Sequence, residues 1–152
     1  MKRTLLLAAG FAAALSSSVV AQSPFDMPVA ARGGIMAILA MNMGTLGGMA
    51  RGSVEYDAEA AQEAANAIYG VSMVNFPSLF PEGSDANSIA GTRAAMAIFT
   101  DSAGFSAEWA KVQMAAPNLA AEAANGKDAM VAALGAVGST CRSCHQAYRA
   151  PE

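Results

Sequence analysis

Cys141, Cys144 and His145 are the two cysteines and the single histidine of a 152-residue chain, and they sit together in the run CRSCH close to its end. Two thiols at this spacing serve three chemistries: a redox disulfide, a metal site, or covalent attachment of haem. A redox pair belongs at a helix start beside a strand–helix–strand pattern, where the helix dipole lowers a thiol pKa. Here the pair lies near the far end of a helical pattern. A structural zinc site asks for four Cys or His ligands, and the chain offers three. Cysteines three apart on a helix would also make a strained disulfide. Haem c accounts for all of these features. On a helix the first cysteine, the second and the histidine share one face. The thiols then form thioethers with the two vinyl groups while the imidazole of His145 ligates the iron. With no second histidine, an axial pair of histidines within one chain is excluded. The sixth iron position is left to methionine, another weak ligand, or nothing.

The start of the chain supports attachment outside the cytoplasm. Lys2 and Arg3 precede an apolar run from Leu5 to Leu15, and small residues close on Val19, Val20 and Ala21. That is the pattern of a secretory signal peptide over residues 1–21, cut after Ala21. The apolar run is shorter than the roughly 20 residues a membrane span needs, so no stable membrane insertion is expected after processing. Residues 22–152 form one domain, with a periplasmic location. Acidic residues outnumber basic ones, 12 to 9, which argues against a nucleic-acid partner.

The elements that must position the haem residues read as helix throughout, because alanine, methionine and leucine dominate and β-branched runs are few. From Val29 to Arg51, Met36, Leu39, Met43, Leu46 and Ala50 recur at steps of three and four on one face. Gly52 ends that helix. The next has Ala61, Ala64, Ala65, Ile68 and Ser72 or Val71 inward. Asn75 to Thr92, with two prolines and two glycines, is the one long connection. A short helical piece near Ala94 to Phe99 precedes a third long helix, about Asp101 to Ala124, with Phe105, Trp109, Val112 and Ala116 inward and Pro117 expected to kink or split it. The last helix carries Met130, Ala133, Leu134 and Val137 in a stripe that continues into Cys141, Cys144, His145 and Tyr148. The fold class is therefore all-α, a four-helix bundle running up-down-up-down. In that arrangement the first turns of the first helix face the last turns of the fourth. Met36 lies in that layer, Met43 lies about 10 Å further along the axis, and Met41 lies off the stripe. No cluster of acid, base and nucleophile accompanies the haem motif, so the chain is not expected to be an enzyme.

The runs CRSCHQAYR and ARGGIMAILAMNMGTLGGMARG, with weaker support from YDAEAA and FPEGSD, resemble the class II c-type cytochromes, the cytochrome c' family. The resemblance covers nearly the whole mature chain. It implies one haem c near one end of a four-helix bundle, often in a homodimer. It also implies that Arg32 lies near a haem propionate and Arg149 beside the histidine on the proximal side. The distal residue of the family falls one turn after the first arginine, which here is Met36. Members with a bulky apolar residue there are five-coordinate and bind nitric oxide or carbon monoxide. A low-spin branch uses methionine as sixth ligand and passes electrons to redox protein partners. Two features depart from the family pattern: the Gly33–Gly34 pair loosens the first turn of the first helix, and Pro117 falls where the third long helix is usually continuous. The leading expectation is a monohaem electron carrier with His145 and Met36 as axial ligands. The alternative is a five-coordinate cytochrome that binds a diatomic gas, with Met36 as a non-bonding distal residue.

Overall fold

In the computed structural model, residues 23–151 are described. The signal peptide expected over residues 1–21 lies outside them. Among the described residues there are four long helices, α1 (Asp26–Arg51), α2 (Ala58–Ser72), α4 (Ser102–Glu122) and α5 (Lys127–Tyr148), with the single-turn α3 (Ala97–Thr100) before α4. A 3-10 turn, Phe76–Leu79, opens the long connection. The long helices touch as a ring, α1 on α2, α2 on α4, α4 on α5 and α5 back on α1. Short links between α1 and α2 and between α4 and α5 make those pairs antiparallel neighbours.

Local chemistry sets the helix ends. Gly52 closes α1 at φ 73°, a left-handed conformation that glycine adopts without a Cβ penalty, and its N–H reaches Gly48 O and Met49 O. Asp57 caps α2 by accepting from Ala60 N at 2.9 Å, and Asp101 caps α4 by accepting from Gly104 N at 3.1 Å. By length and composition α1 could cross a membrane. Instead it packs on α2 and α5 and carries a buried arginine, Arg32.

The core follows the apolar stripes. Ala61, Ala64, Ala65, Ile68 and Ser72 of α2 and Phe105, Trp109, Val112 and Ala116 of α4 are all buried, as are Met130, Ala133, Leu134 and Val137 of α5. Helix α1 differs, since Leu39 and Leu46 are buried while Met36, Met43 and Ala50 are only partly covered. Its inward face borders a cavity as well as the core.

The expected break at Pro117 does not occur: α4 runs without interruption from Ser102 to Glu122. Proline removes one N–H, so the carbonyl of Gln113 loses its intrahelical donor. Pro117 lies on the exposed side of α4 while Ala116 and Leu119 are fully buried. On that side water can satisfy the freed carbonyl, and the buried residues of the inner side keep the helix continuous past the proline.

Two glycines in helices make opposite predictions. A Cβ at Gly104 would overlap the Asp101 carboxylate and the Tyr148 hydroxyl, whereas a Cβ at Gly135 would meet nothing within 4 Å. Gly135→Ala is expected to stabilise the fold by about 0.5–1 kcal/mol, the usual helix gain. Gly104→Ala is expected to cost about 1–3 kcal/mol because overpacking outweighs that gain. Thermal unfolding of the two variants should shift in opposite directions.

Candidate functional site: a haem-attachment cavity

Helices α1 and α5, the segment from Phe76 to Ala94 and the first half of α4 enclose a cavity of about 600 Å³. Apolar side chains dominate its walls. Its size falls within the roughly 300–1,000 Å³ usual for small-molecule and cofactor sites. Cys141, Cys144 and His145 all line it within one turn of α5, with Tyr148 and Arg149 beyond them. The shared face inferred from the CRSCH spacing is therefore present, and it opens onto a space suited to a large planar group.

The thiols are poor candidates for redox exchange. Burial pushes the Cys141 thiol up. Burial, with the nearby Glu108 and Cys141 charges, pushes Cys144 up to about 11. Reactive cysteines need a lowered pKa, and both are unpaired here. Among the described residues, no group of three or more His, Cys, Asp or Glu is arranged to hold a bare metal ion. Partial burial, followed by the charges of Arg149 and Arg93, lowers the pKa of His145. That favours neutral imidazole, the form that binds metals. Donor chemistry and cavity together fit haem c.

The expected site residues divide by what they touch. Met36 is half-buried on the α1 wall of the same cavity, between the small residues Gly33 and Ala40. Met43 also lines it, with its Cε 3.8 Å from where a Cβ on Gly138 would sit. Met43 therefore borders the cavity too, seven residues further along α1 than Met36. The cavity follows α1 from Val29 to Met43, about 21 Å at 1.5 Å per residue, with Gly138 of α5 on the wall near Met43. Met41 is 68 % exposed and points away, as its place off the stripe implies.

Arg32 is 5 % exposed and has acquired partners that the sequence did not disclose. Its Nη1 donates to Ser84 Oγ at 2.8 Å, and its Nη2 donates to Ser84 O at 2.6 Å and Thr92 Oγ1 at 2.7 Å. Its guanidinium lies 4.6 Å from the centre of the Phe80 ring. Arg32 therefore fastens the long connection across one side of the cavity, and burial among neutral acceptors lowers its pKa. One available signal was an arginine in an otherwise apolar stretch of helix, since a buried guanidinium must find acceptors. Nothing in the spacing named Ser84 or Thr92.

Arg149 follows the last turn of α5 and lines a second, open cleft with Arg93, Arg142 and His145. An isolated antiparallel bridge joins Arg149 to Ala94, with Ala150 N donating to Arg93 O at 2.8 Å and Ala95 N to Tyr148 O at 3.0 Å. These bonds tie the haem end of α5 to the long connection. On the other flank, Ser143 Oγ donates to Glu108 Oε2 at 2.6 Å, and Glu108 also pairs with Lys111.

A helical bundle with two thiols and an imidazole on one edge of an apolar cavity defines a c-type cytochrome of the four-helix class. The family model described as Cytochrome C' matches residues 27–149, and the chain belongs to the cytochrome c' family. It is 35% identical over 149 residues to cytochrome c' of Cereibacter sphaeroides, covering 98% of each chain. In three dimensions it is similar to cytochrome c' from Rhodobacter sphaeroides, with a TM-score of 0.81 at 33% identity over 86% of this chain and 100% of that one. Two solved relatives from Alcaligenes xylosoxidans are variants holding a gas. One is a nitric oxide complex (TM-score 0.72, 26% identity, 84% and 97% coverage) and the other is bound to carbon monoxide (TM-score 0.73, 26% identity, 85% and 98% coverage).

These relatives correct the leading expectation, an electron carrier with His145 and Met36 as paired ligands. The family is characterised by iron held from the protein by histidine alone, and a methionine bonded to iron would occupy the position that a gas needs. The other broad expectations stand: the cofactor is haem c carried on two cysteines, the architecture is a four-helix bundle, and the family is not one of enzymes.

Proposed function

We propose that this protein is a five-coordinate cytochrome c' that binds nitric oxide or carbon monoxide, with His145 as the protein's axial ligand and Met36 as a non-bonding distal residue. The observation that carries this reading is the cavity shared by His145 on α5 and Met36 on α1, where the small residues Gly33 and Ala40 line the same wall as Met36. When bound, haem c supplies an iron whose sixth position can take a diatomic gas. Cys141 and Cys144 fix the macrocycle to α5, and the apolar walls exclude water and favour a small uncharged ligand. Arg32, within reach of the cavity edge, and Arg149, beside His145, offer positive charge to the haem propionates and the proximal side.

Carbon monoxide binds ferrous iron, so a redox protein partner that reduces the haem belongs to this reading. The periplasm is the fitting location, given the leader pattern of residues 1–21. A homodimer is supported by exposed Met27, Ile38 and Met41 on α1, where Arg32, the one charged residue between Asp26 and Arg51, is buried. A solved cytochrome c' at 28% identity is described as having an unusual ligand-controlled dimer dissociation (TM-score 0.77, 86% and 100% coverage).

Optical spectra of the ferric and ferrous holoprotein, with and without carbon monoxide, test the proposal. High-spin spectra in both states and a carbon monoxide complex are expected. A low-spin spectrum in both states that carbon monoxide leaves unchanged would overturn it.

A further inference from the structure

Tyr148 lines the same cavity as His145 and follows it by three residues on α5. Its side chain is buried, and its ring meets that of Phe105 edge-on with centroids 5.3 Å apart. Its hydroxyl donates to Asp101 Oδ2 at 2.7 Å. The carboxylate is itself held in place, since Asp101 Oδ1 accepts from Gly104 N at the start of α4. Gly104 is what admits this pair, because any Cβ there would overlap both groups.

The chain has three tyrosines and one tryptophan, and Tyr148 differs from the rest in having a proton acceptor. The Tyr56 hydroxyl donates to the carbonyl of Ala123 at 2.9 Å, and Trp109 Nε1 donates to the carbonyl of Val74 at 2.9 Å. Tyr69 is 38% exposed. A carbonyl oxygen does not take up a proton at neutral pH, whereas a carboxylate does so within reach of ordinary pKa values. A phenol that loses an electron becomes strongly acidic. Its oxidation is therefore easiest where a base already holds the hydrogen bond.

We infer that Tyr148 and Asp101 form a proton-coupled one-electron donor to the haem site, used when hydrogen peroxide oxidises the bound haem. In the step, the Tyr148 O–H bond breaks. The electron passes to the haem site and the proton passes to Asp101 Oδ2, leaving a neutral phenoxyl radical and a protonated carboxyl. Hydrogen peroxide takes two electrons and two protons to become two waters. Tyr148 supplies one electron, the other would come from the bound haem c, and solvent supplies the protons. The hydrogen bond also holds the reactants in the required forms. It pushes the Tyr148 phenol up to about 12 and holds Asp101 below the usual carboxylate range, so at neutral pH the pair is phenol and carboxylate. Asp101 is exposed, so the transferred proton can leave to solvent.

The test is freeze-quench electron paramagnetic resonance on ferric holoprotein mixed with hydrogen peroxide. A tyrosyl signal is expected in the wild type, lost in Tyr148→Phe and retained in Tyr69→Phe. Asp101→Asn keeps an N-cap but removes the base, so the signal should build more slowly and lose its solvent deuterium isotope effect. Circular dichroism of each variant verifies the helical fold. A wild type without a protein radical, a signal that survives in Tyr148→Phe, or a radical located on Tyr69 or Trp109 would each overturn the inference. Gas binding is read separately from the wild-type carbon monoxide spectrum, so the two proposals fail independently.

Discussion

Replacing Cys141 and Cys144 together by alanine should leave a protein from which acid–acetone extracts all the haem, whereas the wild type should keep its pigment through denaturation. Both thiols line the cavity on the same face of α5 as His145, so each is placed to form one thioether. Either single substitution leaves one bond and should weaken retention without abolishing it. The double variant should also be far less stable. Without the cofactor, a cavity of about 600 Å³ between α1 and α5 loses the packing that close-packed interiors supply. Even a fraction of that volume is expensive at about 24 cal/mol per Å³ of residual cavity, so partial collapse of α1 onto α5 is expected. Absorbance of the extract and far-ultraviolet circular dichroism against temperature measure both effects. Pigment that extracts freely from the wild type would refute covalent attachment.

Met36→Ala should leave the spin state high and raise affinity for carbon monoxide by about tenfold or more, the 1–3 kcal/mol that hydrophobic-pocket changes of this size produce. Met36 occupies the α1 wall beside Gly33 and Ala40, so truncating it widens the space where a gas would sit. The gain should appear in the association rate if, as proposed, the side chain obstructs entry without bonding to iron. Met43→Ala removes a side chain from the same wall further along α1, next to Gly138. Its main cost should be packing, about 2–5 kcal/mol at most, with a smaller effect on the gas. Stopped-flow mixing with carbon monoxide and equilibrium titration separate the two variants. A change from low-spin to high-spin on Met36→Ala would mean that its sulfur had been bonded after all.

The CRSCH run determined the cofactor by itself, because the i, i+3, i+4 relation is a property of any helix and needs no tertiary information. The helical pattern did the same for the architecture. The steps of three and four in α2, α4 and α5 pick out residues that are buried, since one apolar stripe per helix has few ways to hide other than in a bundle. Pro117 shows where that local reading stops. Whether a proline breaks a helix depends on which side of it meets solvent, and the packing of α4 decided that. Met36 and Met43 make the same point at the site, because periodicity placed them on one face but could not give the length of the cavity, which is set by walls on other elements. The partners of Arg32, Ser84 and Thr92, are more than fifty residues away in sequence, and the partner of Tyr148 lies on the far side of the α4–α5 turn. Contacts of that kind exist only once the helices have packed, because what selects them is the need of a buried polar group for an acceptor within about 3 Å, and sequence spacing carries no record of it.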